Sequence, residues 1–244
     1  MKAIHTESLN INIAEHNFKS YLAYPTNTDK PVPGILVIPE FWGLTKYIQS
    51  RAKQLAELGY CALAIDIYGE AWIAQDVNSA SLAMNKLLKN LEEGSNHILL
   101  QLEELKKLKQ TDETKIAVMG YCLGGALALH LARIGTNIKG VVSFHGDLDP
   151  RTSLQPGQIK AKILVCHGAD DSMIPEEKVI NFKKEMDTAG ADYKFISYKG
   201  ALHSFTNPKA TEKGDKFNLP IAYNKEADDS SWKDMQNFFT QIFS

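Results

Sequence analysis

The sequence predicts an open, mostly parallel, doubly wound α/β sheet with helices on both faces and an antiparallel hairpin on one edge. Short apolar segments bounded by glycine or proline alternate with segments whose apolar residues recur at helical spacing. This alternation implies parallel strands joined by right-handed helical crossovers. The length of 244 residues suits one large α/β domain, and no internal repeat or linker divides it. We therefore expect a single domain over residues 1–244.

The elements follow one another along the chain as this fold class requires. Residues 35–38 are all apolar, which is typical of a strand buried on both faces. The predicted strands are 10–14 and 18–24, which form the hairpin, then 33–39, 61–66, 115–119, 138–144, 161–166 and 193–198. The predicted helices are 45–58, with Gly59 as C-cap, 78–110 as a pair broken near 93–95 with Ser95 as N-cap, 126–133, 176–188 and about 228–244.

Composition and charge argue against several classes of protein. The 27 basic and 29 acidic residues give a net charge of −2, so we expect no nucleic-acid partner. No apolar run reaches the roughly 18 residues of a membrane span, and residues 1–10 lack the apolar stretch of a signal peptide. The 3 cysteines, Cys61, Cys122 and Cys166, include no CxxC pair. These features predict a cytoplasmic protein that does not bind membranes and is a monomer or homodimer.

The most informative segment for a catalytic function is Gly-Tyr-Cys-Leu-Gly-Gly at positions 120–125. It lies between a predicted strand and a predicted helix. This pattern is typical of a nucleophile elbow with Cys122 in the place of serine. Glycines are expected there because side chains would collide with the neighbouring strand and helix. The helix N-terminus favours a thiolate, and Leu123 would donate its N–H to an oxyanion. A phosphate-binding turn and a buried structural cysteine are the alternatives, and the latter is our prediction for Cys61 and Cys166.

A nucleophile of this type requires an acid and then a histidine further along the chain. Asp170 and Asp171 follow the strand 161–166 at the carboxyl edge of the sheet, where sites form in such folds. Asp171 is the preferred acid and Asp170 the alternative. His203, in the loop after the last strand, is the predicted base. His145 lies among aspartates on a turn rich in glycine and proline, which predicts a solvated loop residue rather than a metal ligand.

Glu40 ends the first buried strand and stands directly before Phe41-Trp42-Gly43. An acid at this edge of the sheet is either an active-site group or a solvated charge at the start of a helix. Phe41 is placed to donate the second oxyanion N–H, which comes from the loop after this strand in sites of this kind.

Together these segments resemble the dienelactone hydrolase family of the α/β-hydrolases over essentially the whole chain. The resemblance implies that Cys122 is the nucleophile, His203 the base and Asp171 its orienting acid. It also implies that Glu40 hydrogen-bonds the resting thiol and helps to form the thiolate when substrate arrives. The segments that carry it are 38–44, 58–60, 66–69, 120–125, 167–171 and 202–205.

The resemblance implies a hydrolase of carboxylic esters, lactones or thioesters that uses no cofactor and no metal and acts on a small molecule. Family members that open dienelactones hold the substrate carboxylate with arginines, but segments 66–72 and 205–208 contain none. Lysine does not reproduce the guanidinium fork, so we expect neither a bidentate clamp nor dienelactone as the natural substrate. The alternative is a non-catalytic binding or sensor protein on the same fold, in which Glu40 keeps the thiol unreactive.

Overall fold

The computed structural model describes residues 3–13 and 15–244. The chain folds into two compact units, Met1–Val118 and Met119–Ser244. Among the residues described, no helix combines the length and the apolar character needed to cross a membrane.

The first unit contains a mixed sheet with strand order β1-β2-β4-β3-β5. Strands β1 and β2 form an antiparallel hairpin that pairs Ile4 with Pro25 and Ile13 with His16. Strand β2 is antiparallel to β4, and β4 is parallel to β3. The strands are β1 (Ile4–Ile13), β2 (His16–Pro25), β3 (Val32–Ile38), β4 (Cys61–Ala64) and the larger part of β5 (Thr111–Tyr121); the helices are α1 (Lys46–Leu58), α2 (Val77–Lys89) and α3 (Leu91–Lys107).

The predicted hairpin is confirmed, and its strands are longer than the sequence pattern indicates. Ala14, the last residue of the first predicted strand, lies outside the described residues. The predicted double-sided burial of β3 is also confirmed. Residues 35–38 are each 0% exposed, and consecutive strand side chains point to opposite faces, so both faces of β3 are covered. Helix α1 packs against β2 and β4, while α3 packs against β1 and β3.

The predicted helix break near residues 93–95 is wrong. Helix α2 ends at Lys89 and α3 begins at Leu91, so the break lies at Asn90, whose backbone has φ −113° and ψ 47°. Ser95 is therefore inside α3 rather than its N-cap. Packing accounts for Gly94, because a β-carbon there would lie 3.2 Å from Cγ of Leu87. The small residue lets the first turns of α3 lie close to the end of α2.

The second unit begins with the end of β5 and has strand order β5-β6-β7-β8. Strand β6 is parallel to β7, and β7 is parallel to β8. Helix α4 packs against β6, and α7 packs against β6 and β7. Its further elements are α4 (Leu123–Arg133), β6 (Gly140–Phe144), β7 (Lys162–Gly168), α5 (Glu176–Ala189), β8 (Tyr193–Tyr198), α6 (Ala210–Phe217) and α7 (Lys225–Phe243).

The strand order and directions confirm the predicted fold class, including the antiparallel pair at the N-terminal edge. Three helical details differ from the sequence prediction. Helix α4 begins at Leu123 directly after the elbow, α6 was not predicted, and α7 begins at Lys225. The side chain of Asn224 caps the N-terminus of α7 by accepting a hydrogen bond from the Ala227 N–H at 3.1 Å. The single domain over residues 1–244 stays a prediction.

Candidate active site

Cys122 occupies a tight turn between β5 and α4, in a backbone conformation of φ 52° and ψ −115°. Positive φ is uncommon for a residue with a side chain and is a sign of local strain. The flanking glycines make the turn possible. A β-carbon at Gly120 would lie 2.1 Å from the carbonyl oxygen of Gly124, and one at Gly125 would lie 2.6 Å from Oγ of Ser143. The local geometry is therefore that of a nucleophile elbow, as expected from the spacing of the glycines.

A row of hydrogen bonds joins Cys122 to two further side chains of the second unit. The imidazole Nε2 of His203 lies 3.2 Å from Sγ of Cys122. On the other side of the ring, Nδ1 donates to Oδ2 of Asp171 at 2.8 Å. The second oxygen of Asp171 accepts from the Met173 N–H at 2.9 Å, which fixes the carboxylate. A buried carboxylate thus orients an imidazole whose other nitrogen faces a sulfur, which is the arrangement that a catalytic triad requires.

The surroundings of His203 favour its protonated form. Burial alone lowers the pKa of His203, but the Cys122 sulfur and the hydrogen bonds with Asp171 and Cys122 raise that pKa to about 10. The ring therefore holds a proton on Nε2 beside the Cys122 sulfur.

The structure separates the two candidate acids by exposure. Asp171 is 4% exposed, whereas Asp170 is an exposed residue of the turn after β7. His203 follows β8 in a loop, as predicted, but it is only 4% exposed. Its loop position therefore does not leave the ring in solvent, and the ring contacts that of His145 with centroids 5.2 Å apart.

His145 is a buried residue of this cluster, and the prediction of a solvated loop residue is wrong. It is 1% exposed and has a positive φ of 40°. Its Nδ1 accepts the backbone N–H of Cys122 at 3.1 Å, so Nε2 carries the hydrogen and donates to Oγ1 of Thr206 at 2.7 Å. The neutral ring thereby links the backbone of Cys122 to the loop that carries His203. No local sequence pattern indicated this, because Cys122 and Thr206 are far from His145 in sequence.

Leu123 is the first residue of α4, so its N–H is among those that have no acceptor within the helix. This position is the one from which an elbow donates to an oxyanion.

Glu40 and Phe41 belong to the first unit, in the segment after β3. Glu40 is 1% exposed, so a solvated charge at the start of a helix is the wrong interpretation of this residue. The Phe41 carbonyl accepts a hydrogen bond from the Tyr68 hydroxyl at 3.0 Å, and the Glu40 carbonyl accepts from the Gly43 N–H at 3.0 Å. These bonds fix the backbone of the loop from which the second oxyanion donor is expected.

The two arginines of the second unit are engaged in ion pairs. Arg133 makes a bidentate contact with Glu185, with its Nε and Nη2 at 3.0 and 2.8 Å from the carboxylate oxygens. Arg151 donates to Asp147 at 2.9 Å, and Lys178 also pairs with Asp147 at 2.8 Å. The aspartates near His145 thus belong to an ion-pair cluster.

Comparison with known proteins assigns the chain to a family and confirms the α/β-hydrolase fold. The sequence model of the Dienelactone hydrolase family matches residues 18–243. A Yersinia pestis protein named as a candidate carboxymethylenebutenolidase is 26% identical over 249 residues, covering 98% of this chain and 89% of that protein. A dienelactone hydrolase-like promiscuous phosphotriesterase from metagenomic libraries is 31% identical, with a TM-score of 0.93 over 99% of this chain and 100% of that one. An alpha/beta hydrolase enzyme from a Medee basin deep-sea metagenome, at 16% identity and a TM-score of 0.65 over 98% of each chain, shares the fold.

Proposed function

The chain belongs to the dienelactone hydrolase family, a family of hydrolases acting on ester bonds, and from this membership we propose that it cleaves carboxylic esters, lactones or thioesters with a Cys122–His203–Asp171 triad. The observation that carries the proposal is the hydrogen-bonded row in the second unit, with 3.2 Å between Nε2 and Sγ and 2.8 Å between Nδ1 and Oδ2. A family hydrolase with this row has the groups that acyl transfer to sulfur requires.

In the first half of the reaction, Sγ of Cys122 attacks the carbonyl carbon of the substrate and a C–S bond forms. The carbonyl oxygen becomes an oxyanion, to which the Leu123 and Phe41 N–H groups donate. The oxyanion then collapses and the C–O bond of the ester breaks. His203 gives its Nε2 proton to the leaving alkoxide, which departs as an alcohol, and a thioester on Cys122 remains.

In the second half, His203 removes a proton from water, and the resulting hydroxide attacks the thioester carbonyl. The same N–H groups stabilise the second oxyanion. The C–S bond breaks, the carboxylic acid leaves, and the thiolate and imidazolium from which the attack began are restored. Asp171 keeps its charge throughout and holds the ring by accepting from Nδ1.

The proposal is tested with a panel of activated esters and lactones combined with rapid quenching and intact-mass measurement. We expect turnover together with an acyl adduct on Cys122, and neither in Cys122→Ala. Turnover that continues in Cys122→Ala without an adduct would overturn the triad. A folded protein that binds panel members without turning them over would favour the binding or sensor alternative.

Asp171→Asn is expected to lower kcat/KM by about a hundredfold or more, because an amide does not hold His203 in the required tautomer. Asp170→Asn is the matched control, since this neighbouring carboxylate is exposed, and we expect it to stay within a few-fold of the wild type. Steady-state kinetics on one ester distinguish the two residues. If Asp170→Asn proved the more damaging change, the assignment of the acid would be wrong.

Glu40→Gln is expected to separate the reactivity of Cys122 from turnover. On the family resemblance, the Glu40 carboxylate keeps most of the resting sulfur protonated, since a second negative charge nearby is unfavourable. Alkylation of Cys122 by iodoacetamide at neutral pH should then quicken or stay constant, while ester turnover falls by about tenfold or more. Glu57→Gln, which alters an exposed glutamate of α1, serves as the control. Unchanged alkylation and turnover in Glu40→Gln would place Glu40 outside the site.

His145→Phe is expected to lower kcat by about ten- to a hundredfold, because the Cys122 N–H keeps only its bond to the Phe144 carbonyl at 3.0 Å and small displacements of reacting groups are costly. His145→Asn keeps an acceptor close to the position of Nδ1 and should recover part of this loss. Circular dichroism and thermal unfolding establish that both variants are folded. Equal kcat values in folded His145→Phe and His145→Asn would show that the hydrogen bond to Cys122 does not matter for catalysis.

A further inference from the structure

Three metal-binding side chains converge on the surface of the first unit. His16 opens β2, while Glu93 and His97 lie on α3, and each offers one ligand atom within 4.8 Å of the other two. His16 and Glu93 are exposed, and His97 is partly buried. No other cluster of three or more such residues occurs in the part of the chain that the structure describes.

The arrangement follows from helix and hairpin geometry. Glu93 and His97 are four positions apart in α3, so their side chains project from the same face one turn apart. His16 is at the turn end of the β1–β2 hairpin, where it pairs with Ile13. The two imidazole rings lie with centroids 5.2 Å apart at 61°, and the buried Phe18 contacts His97 with a centroid distance of 5.1 Å. The packing of Phe18 holds the two elements together and restricts the His97 ring.

A cavity of about 380 Å³ adjoins the cluster, and all three ligand residues contribute to its lining. The remaining lining is largely apolar and includes Phe18, Ile67, Trp72 and Leu87. A cation bound by the three side chains would therefore have its fourth coordination position beside a cavity rather than against protein atoms.

We propose that His16, Glu93 and His97 form a zinc site with three protein ligands and water in the fourth position. Two imidazoles and one carboxylate are a donor set that Zn²⁺ accepts, and bonds of about 2.0–2.2 Å place tetrahedral ligand atoms roughly 3.4 Å apart. Side-chain rotations that shorten the separations of up to 4.8 Å complete this geometry. The ion joins the start of β2 to α3, so zinc stabilises the folded first unit by mass action. This site goes beyond the proposed hydrolase and takes no part in its chemistry.

Isothermal titration with zinc chloride tests the site on the full chain, with Cys122 first alkylated so that its thiolate does not compete for the ion. We expect one zinc per chain and a rise in the unfolding temperature on zinc addition. His97→Ala and Glu93→Gln should each weaken binding by at least about tenfold and remove most of that rise. Because Glu93 is exposed, Glu93→Gln reports on the site even if His97→Ala fails to fold.

His5→Ala is the matched control. His5 pairs with Glu7 at 3.5 Å on β1 of the same unit, but within the described residues no third ligand joins this pair. We expect His5→Ala to bind zinc as the wild type does. The proposal would be overturned if the chain did not bind one zinc ion. It would also be overturned if His97→Ala and Glu93→Gln bound zinc with the affinity of the wild type.

Discussion

Cys122→Ala is expected to reduce the hydrolysis of activated esters by at least about a thousandfold, because no other group replaces the nucleophile in a two-step acyl transfer. The measurement is initial rate against substrate concentration at equal protein concentration. The loss should appear in kcat, since the elbow, the oxyanion donors and His203 all remain to bind substrate. The variant should also form no acyl adduct by mass spectrometry.

The other two cysteines provide the control for this loss. Cys61 and Cys166 are each 0% exposed, and burial raises the pKa of Cys61 to about 11 and that of Cys166 to about 12. Both are therefore thiols at neutral pH, and we expect iodoacetamide to modify Cys122 alone. Cys61→Ala should keep the wild-type kcat. A loss in Cys61→Ala equal to that in Cys122→Ala would indicate general destabilisation instead of a missing nucleophile.

The parts of the fold that the sequence predicts are those specified by local patterns. The apolar residues 35–38 indicate a strand covered on both faces, and each is 0% exposed. The glycines around Cys122 indicate the elbow because their reason is a local clash, seen in the 2.1 Å approach of a β-carbon at Gly120 to Gly124. Chain order alone indicates Asp171 and His203 after Cys122, and the structure brings His203 to the Cys122 sulfur and Asp171 to the far side of the His203 ring.

The features that sequence analysis missed depend on contacts between distant segments. The sequence indicates a helix break near Gly94, but this glycine lies inside α3. Its small size allows α3 to pack closely on Leu87. His145 has a polar, turn-like neighbourhood in the sequence, and only the folded chain shows that its ring is hydrogen-bonded to both Cys122 and Thr206. The cluster of His16 with Glu93 and His97 depends on the contact between the end of the hairpin and α3. Hydrophobic periodicity predicts the hairpin and the helix but does not predict that they lie next to each other.

His203→Ala is expected to lower kcat/KM by about a hundredfold or more, the usual contribution of a positioned acid–base group. Both half-reactions need the ring, first to protonate the leaving alkoxide and then to deprotonate water. The loss should be greatest for esters of poor leaving groups, because a stable phenolate departs without a proton. Comparing an alkyl ester with a nitrophenyl ester of the same acid measures this difference.

His130→Ala is the control that separates chemistry from packing. His130 lies in α4 and is 6% exposed, so its removal also empties a buried position of the second unit but takes away no proton-transfer group of the proposed mechanism. We expect both variants to lose some thermal stability, and only His203→Ala to lose turnover. Because the pKa of His203 is raised to about 10 by Cys122 and Asp171 in spite of burial, its loss should also slow alkylation of Cys122, which has then lost its cationic partner. Folded His203→Ala with turnover and alkylation within a few-fold of the wild type would reject His203 as the base.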